Sequence, residues 1–229
     1  LGLYFSNREL IPEKLEFSFL PMWSFNRKSL RGIGDVTYKI WPLKGIFREI
    51  TISNQFKSFG YDHYTAPESN PDIKDLDFAY SRLSSGLEFV FRKKDIRKKF
   101  RNSILLRNIL IKKDSQTFEP VNGIYVQKPN SLNTQFFQVR YAFSNLRVVD
   151  PFSLDLDLQQ GSKHLKISST FNYRFSYKMP KKGIDFRLFF GAFAVNNTTT
   201  ENYNFRMSGW NGKDDYLFDA IFQIGRAHV

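Results

Sequence analysis

Hydrophobic and polar residues alternate with a period of two along most of this sequence. The alternation is clearest over 165–179, where one parity is apolar or aromatic apart from Ser169 and the other parity is wholly polar. Successive side chains of a strand point to opposite faces, whereas a helix would spread both sets around its circumference. We therefore predict a strand over 165–179.

The same alternation recurs along the chain and predicts an all-β fold of antiparallel hairpins. The three longest predicted connections follow even-numbered strands and alternate with shorter ones, a rhythm typical of outer-membrane barrels. Those long connections are 61–77, 113–134 and 195–214. The predicted strands are 1–6, 15–25, 32–41, 46–60, 78–92, 103–112, 135–145, 152–160, 164–179, 184–194 and an incomplete one near 215–223.

Two tight turns predict how the strands of 152–193 pair in a three-stranded meander. The first turn is placed at Gly161-Ser162, and the second is a loop over Pro180–Gly183. Both registers bring apolar residues together on one face and oppose unlike charges on the other, which a slip of one residue would destroy. The predicted charge pairs are Asp157 with Lys166, and Lys178 with Asp185.

The length of the strands favours a membrane barrel over a soluble β-sandwich, which would also alternate. The segment 165–179 is longer than a typical soluble strand of roughly 5–6 residues, and a tilted strand crosses a bilayer in about 9–11. An open edge in lipid would leave backbone groups unsatisfied, so the barrel has to close. We predict an antiparallel up-and-down transmembrane β-barrel domain over 1–223, with part of its strands lying outside this chain.

A barrel wall has one face toward lipid and the other toward a lumen. The polar face has three interpretations: a hydrated lumen that passes or binds a polar solute, a satisfied network that fills the barrel, or a plain solvent face. The residues predicted to face lipid are Phe17, Phe19, Phe137, Val139, Leu154, Leu156, Ile167, Phe171, Tyr173, Phe175, Phe186 and Leu188. The residues predicted to face the lumen are Asp155, Asp157, Lys166, Arg174, Lys178, Asp185 and Arg187.

The formal charge of +12 changes this picture little, because one run accounts for half of it. Residues 92–101 hold seven Lys or Arg side chains and one Asp. Such a run suits a phosphate-binding patch for nucleic acid or anionic lipid, and a solvated turn between strands is the competing interpretation. Without this run the excess of cations is modest, so the net charge gives little support for nucleic-acid binding. We expect the lipid bilayer as a partner and no nucleic acid.

Residue types for catalysis or metal binding are sparse. The sequence contains no Cys, which excludes disulfide scaffolds and Cys-ligated metal sites. His63 and His164 have no partner at ligand spacing, and we interpret both as solvated. We therefore expect no catalytic, metal or cofactor-binding residue within the chain.

Four segments together resemble a barrel family of Gram-negative bacteria. They are 21–32, 152–161, 182–191 and 215–219, the last reading Asp215-Tyr-Leu-Phe-Asp219. They are similar to the C-terminal outer-membrane region of large gluzincin-like proteins related to zinc aminopeptidases. The resemblance implies an outer-membrane location, dependence on the barrel-assembly machinery, and a peptidase-like domain before Leu1. The zinc ligands would lie in that domain, so no catalytic residue carries over.

The two ends of the chain indicate a fragment of a longer protein. Leu1 begins in what looks like the middle of a strand. The last six residues, Ile224-Gly-Arg-Ala-His-Val229, resemble the translation of a common sequencing adapter, and a native tail is the alternative. We expect 224–229 to be non-native and leave them out of fold reasoning.

Three functions remain open on the sequence alone. The first is a barrel that anchors a larger, peptidase-bearing protein in the outer membrane. The second is a transport or export pore formed by the same barrel. The third is a soluble β-domain that binds polyanions through 92–101.

Overall fold

One antiparallel sheet of ten strands accounts for the part of the chain that the structure describes. The structure is a computed structural model, and it describes residues 2–9, 11–25, 28–64, 76–93, 95, 97, 99–121, 124–177 and 182–197. Strands that are consecutive in sequence are neighbours in space throughout, from β1 to β10. The predicted all-β, antiparallel, up-and-down fold is confirmed. No helix among the described residues is long and apolar enough to cross a membrane.

The strands match the alternating segments of the sequence and are mostly longer than predicted. The two outermost strands of this sheet are β1, which is very short, and β10. The strands are β1 Phe5–Ser6, β2 Leu15–Ser24, β3 Ser29–Ile40, β4 Phe47–Tyr64, β5 Leu76–Phe91, β6 Phe100–Val121, β7 Ile124–Asn145, β8 Phe152–Gly161, β9 His164–Ser176 and β10 Gly183–Asn196. The predicted strand near 215–223 and the segment 224–229 lie outside the described residues.

The predicted long connection at 113–134 is wrong. Most of these residues belong to β6 and β7, which stay paired until Val121 lies opposite Ile124. The sequence from Lys112 to Thr117 is polar at both parities, so it lacks the alternation that marks a half-buried strand. Backbone pairing between antiparallel strands does not require that alternation, and the hairpin simply continues beyond its apolar part.

The predicted register of β8 on β9 is wrong by two residues. Asp157 lies opposite Ser168, Lys166 lies opposite Gln159, and the turn consists of Ser162-Lys163. Because the shift is even, every side chain keeps its predicted face. The alternation therefore predicted the face on which each side chain lies, whereas the position of the turn determines which residues lie opposite each other.

The predicted register of β9 on β10 is wrong by four residues. Asp185 lies opposite Arg174, and Phe186 lies opposite Tyr173. Lys178, the predicted partner of Asp185, is outside the described residues. This shift is also even, so like faces again meet and Asp185 still opposes a cation.

Gly32 occupies a position in β3 that a residue with a side chain could not easily occupy. It lies inside β3 with a φ of +146°, a backbone conformation that side-chain-bearing residues rarely adopt. A Cβ atom at this position would also overlap the Leu20 carbonyl oxygen on β2. Gly32 thus permits close pairing of the second and third strands.

Candidate functional site

The pairing registers divide the strand side chains into two faces of opposite chemistry. On β9 the polar face carries Lys166, Ser168 and Asn172, and the apolar face carries Ile167 and Phe171. Each paired neighbour continues the same parity, so we use these two names across the whole sheet, although the polar face of β5 and β6 also carries Tyr80, Val90, Ile109 and Ile111. The sheet itself is therefore the candidate functional surface.

Burial is inverted relative to the usual pattern of a soluble protein. The strand residues that are buried lie on the polar face, apart from Gly32, Gly34, Ser58, Ala79 and Asn145. The large hydrophobic strand residues that are exposed lie on the apolar face, apart from Leu132 and Phe189. Soluble monomers rarely expose a continuous apolar surface of this extent.

All twelve residues predicted to face lipid lie on the apolar face, and none of them is buried. The exposed fraction reaches 52% for Phe186 and 67% for Leu188, and Phe190 beside them is exposed by 67%. They form the continuous apolar surface predicted from the alternation.

A row of aromatic rings crosses the apolar face from β6 to β10. Phe100 stacks on Phe143 with ring centroids 5.6 Å apart, and Phe143 lies 5.6 Å from Phe152. Tyr173 on β9 stacks on Phe186 on β10, with ring centroids 6.5 Å apart. We call these five residues the aromatic belt. The belt lies close to the end of the sheet where β5 connects to β6 and β7 connects to β8.

The residues predicted to face the lumen lie together on the polar face, as far as they are described. Lys166 is buried, Asp155, Asp157 and Arg174 are half-buried, and Asp185 and Arg187 are exposed on the last strand. Lys178 is outside the described residues.

A hydrogen-bonded network crosses β6, β7 and β8 on the polar face. Arg107 Nε donates to Gln138 Oε1 at 2.9 Å, and Gln138 Nε2 donates in turn to Asp157 Oδ2. Arg140 Nε donates to the same Asp157 oxygen at 2.8 Å. Gln138 is fully buried, so this network is shielded although charged groups form it. A buried charge is tolerated when it is paired and hydrogen-bonded in this way.

A second cluster on the polar face mixes cations with rings. His164 and Lys166 are exposed by only 4% and 3%. The His164 ring meets Phe136 edge-on at 5.5 Å, and the Lys166 ammonium lies 5.7 Å from the ring centroid of Phe193. The prediction that His164 is solvated is wrong, because a neighbouring strand brings the Phe136 ring against it.

His63 is part of β4, and its side chain is outside the described part of the structure.

The first strands carry a third polar group. Lys39 Nζ lies 2.6 Å from Glu16 Oε1, and Asp35 accepts hydrogen bonds from both Arg8 and Ser18. The Arg8–Asp35 pair joins the segment before β2 to the β2–β3 hairpin, and the Lys39–Glu16 pair lies within that hairpin. On the polar face of β2 and β3, each of these two carboxylates therefore has a cation beside it.

Sequence reasoning missed several of the most buried polar residues. Gln138 and Arg140 share a parity in an alternating segment, and that parity alone was enough to predict that they lie on the polar face.

Arg82 and Arg107 could not be predicted in this way, because Ile109 and Ile111 lie on the same face of the sheet and interrupt the alternation. Arg82 is 1% exposed, and its Nη2 donates to Gln55 Oε1 at 3.3 Å.

Among the described residues, no group of three or more His, Cys, Asp or Glu side chains could hold a metal ion. No protein-family model matches the sequence, and the comparisons with curated proteins and with solved structures found no match. The candidate function therefore depends on the geometry of the two faces.

Proposed function

We propose that this chain is part of the wall of an outer-membrane β-barrel that anchors a larger protein. The observation that carries the proposal is the inverted burial, with exposed apolar side chains on one face and buried polar side chains on the other. In water such an arrangement loses the hydrophobic contribution to folding, whereas hydrocarbon around the apolar face removes that cost. Lipid is the partner whose chemistry fits this face.

The strand lengths and the aromatic belt support the proposal. β8 and β9 have 10 and 13 residues, enough for a tilted strand to cross the roughly 30 Å hydrocarbon core. Aromatic rings at the level of the headgroups are a regular feature of membrane barrels, and the belt supplies such a row at one end of the sheet. In this arrangement the 22-residue strands β6 and β7 extend beyond the bilayer at the other end.

Closure of the barrel is part of the proposal. An open sheet edge has no backbone partners in hydrocarbon, so β10 requires a further strand on its outer side. The resemblance to gluzincin-related barrels supplies the rest: a Gram-negative outer membrane, assembly by the barrel-assembly machinery, and a peptidase-like domain before Leu1. A His-Glu-x-x-His helix encoded upstream of Leu1 would support the peptidase part.

Heat-modifiable migration tests the membrane proposal. The full-length barrel refolded in detergent should migrate faster in gel electrophoresis without boiling than after boiling, because a closed barrel resists unfolding by the detergent. It should also remain with lipid vesicles after extraction with alkaline carbonate. Full solubility of the folded protein without detergent would contradict the proposal.

A transport or export pore is the second candidate. The ionised groups of the polar face, including Arg140, Asp157 and Lys166, favour it because they would line a lumen. Single-channel conductance of the closed barrel tests this candidate. If ions pass, Arg174→Glu should change the ion selectivity, since Arg174 is half-buried on this face. A barrel that anchors without conducting should give no channels in either form.

A further inference from the structure

The short connections at one end of the sheet form a basic surface. Because the strands run up and down in order, the connections 41–46, 92–99 and 146–151 lie at the same end. We call them together the turn-end surface. Their described residues, which leave out 94, 96 and 98, hold six Lys or Arg side chains against two Asp, a formal charge of +4. The described part of these three connections is therefore strongly basic.

Hydrogen bonds join these connections into one surface. Arg92 donates through its guanidinium to the carbonyl oxygens of Gly45 at 3.1 Å and Phe47 at 3.2 Å, and also to that of Pro42. The Leu146 amide donates to the Lys99 carbonyl oxygen at 2.7 Å, which joins the second connection to the third. These hydrogen bonds connect Arg92 and Lys99 to the neighbouring connections.

The turn-end surface carries exposed aliphatic side chains as well as cations. Leu43 is 94% exposed and Val148 72%, and Lys44, Arg97 and Lys99 beside them are exposed too. Aliphatic groups of this kind enter the acyl boundary of a bilayer, while lysine and arginine reach the headgroups. Single-stranded nucleic acid would instead need several rings on which successive bases could stack, and Trp41 is the single aromatic residue in these three connections.

The aromatic belt places this surface relative to the apolar face. Phe100 and Phe143 belong to the belt, and the Arg147 guanidinium lies 5.8 Å from the centre of the Phe100 ring. Passing from the apolar face toward the sheet end, the order of side chains is aliphatic, aromatic and then cationic. That order matches hydrocarbon, interface and headgroup.

We propose that the turn-end surface binds anionic phospholipid headgroups in the leaflet that the short connections face. The proposal rests on the membrane position proposed above and adds a lipid preference at one end of the barrel. Lys44 and Lys99 are exposed cations, and they lie on neighbouring connections. They should each contribute to the attraction of the anionic headgroup.

Two native tryptophans allow the two ends to be tested separately. Trp41 is part of the turn-end surface, and Trp23 lies near the opposite end of the sheet. Trp210 is outside the described residues. One full-length variant keeps only Trp41, through Trp23→Phe and Trp210→Phe, and the other keeps only Trp23. Each is reconstituted into vesicles in which either phosphatidylglycerol or phosphatidylcholine carries bromine, and quenching of tryptophan fluorescence reports the neighbouring lipid.

We expect Trp41 to be quenched more strongly by the brominated anionic lipid than by the zwitterionic lipid at equal mole fraction, and Trp23 to show no such preference. The double variant Lys44→Gln, Lys99→Gln should lower the preference at Trp41 by about fivefold for each lysine at low salt. The matched control Lys28→Gln, Lys163→Gln removes the same charge from the other end and should leave it unchanged. High salt should weaken the preference as well.

The outcomes separate this proposal from the membrane proposal. Equal quenching of Trp41 by both lipids would overturn the anionic-lipid site while leaving the membrane position intact. The same conclusion would follow if both double variants lowered the preference at Trp41 for the anionic lipid equally. Absence of quenching by either lipid would contradict the membrane position itself. Binding of RNA or heparin in detergent that needs Lys44 and Lys99, without any lipid preference, would assign the surface to a polyanion instead.

Discussion

The two faces of the sheet are built from the same strands, yet they hold opposite chemistry at opposite exposures. Lys166 is 3% exposed, while the next residue, Ile167, is 43% exposed on the other face. Neighbouring strands cover the polar side chains, and nothing in the described chain covers the apolar ones. The comparison teaches that exposure is meaningful only relative to a solvent, and the proposed contact with hydrocarbon would make both faces favourable.

The sharpest test of the comparison places one charge on each face at the middle of β9. Under the membrane proposal, Phe171→Arg should destabilise the protein in vesicles by about 2–4 kcal/mol, because an arginine on the apolar face would lose its hydration in hydrocarbon. Thr170→Arg is the matched control, since Thr170 is on the polar face opposite Asp155. Urea unfolding in vesicles measures both. Similar stability of the two variants would contradict the assignment of the faces.

A second test compares two ion pairs within the polar face. Asp157→Ala removes the acceptor shared by Gln138 and Arg140, and we expect a loss of about 1–3 kcal/mol in the free energy of unfolding. Asp185→Ala removes an exposed pair, in which Arg174 and Asp185 are 3.9 Å apart, and should cost less than about 1 kcal/mol. Equal losses in the same unfolding assay would show that the covered network contributes no more than an exposed pair.

A third test concerns packing on the polar face. A Cβ atom on Gly161 would overlap the imidazole of His164, which is buried against Phe136. Gly161→Ala should therefore destabilise the protein by about 1 kcal/mol. In a His164→Ala background the same change should cost nothing, and a double-mutant cycle in urea measures this coupling. An unchanged cost in that background would show that the backbone, and not the ring, requires glycine.

The register errors show what a period of two can and cannot predict. Alternation determined the face of each residue in β8, β9 and β10, and every one of those assignments agrees with the pairing. It could not distinguish registers that differ by two or four residues, because such shifts return the same faces to each other. The Ser162-Lys163 turn and the placement of Gly161 against His164 settle the actual pairs.

The alternation predicted which residues lie on the polar face, but it did not predict which of them contact each other. The sequence marks Asp157 as polar and inward on its strand, but its partners Gln138 and Arg140 come from β7, far away along the chain. Which cation reaches a carboxylate depends on the absolute register of three strands. Lys166, predicted to pair with Asp157, instead lies over the Phe193 ring.

The sequence by itself determined the strand content, the antiparallel order and the separation of apolar from polar side chains, because a local period of two encodes each of them. Only the tertiary structure decided how far β6 and β7 continue, which charges meet, and that neighbouring strands cover the polar face. Those features arise from contacts between residues distant in sequence. Their energies depend on register, and the alternation of single residues does not record register.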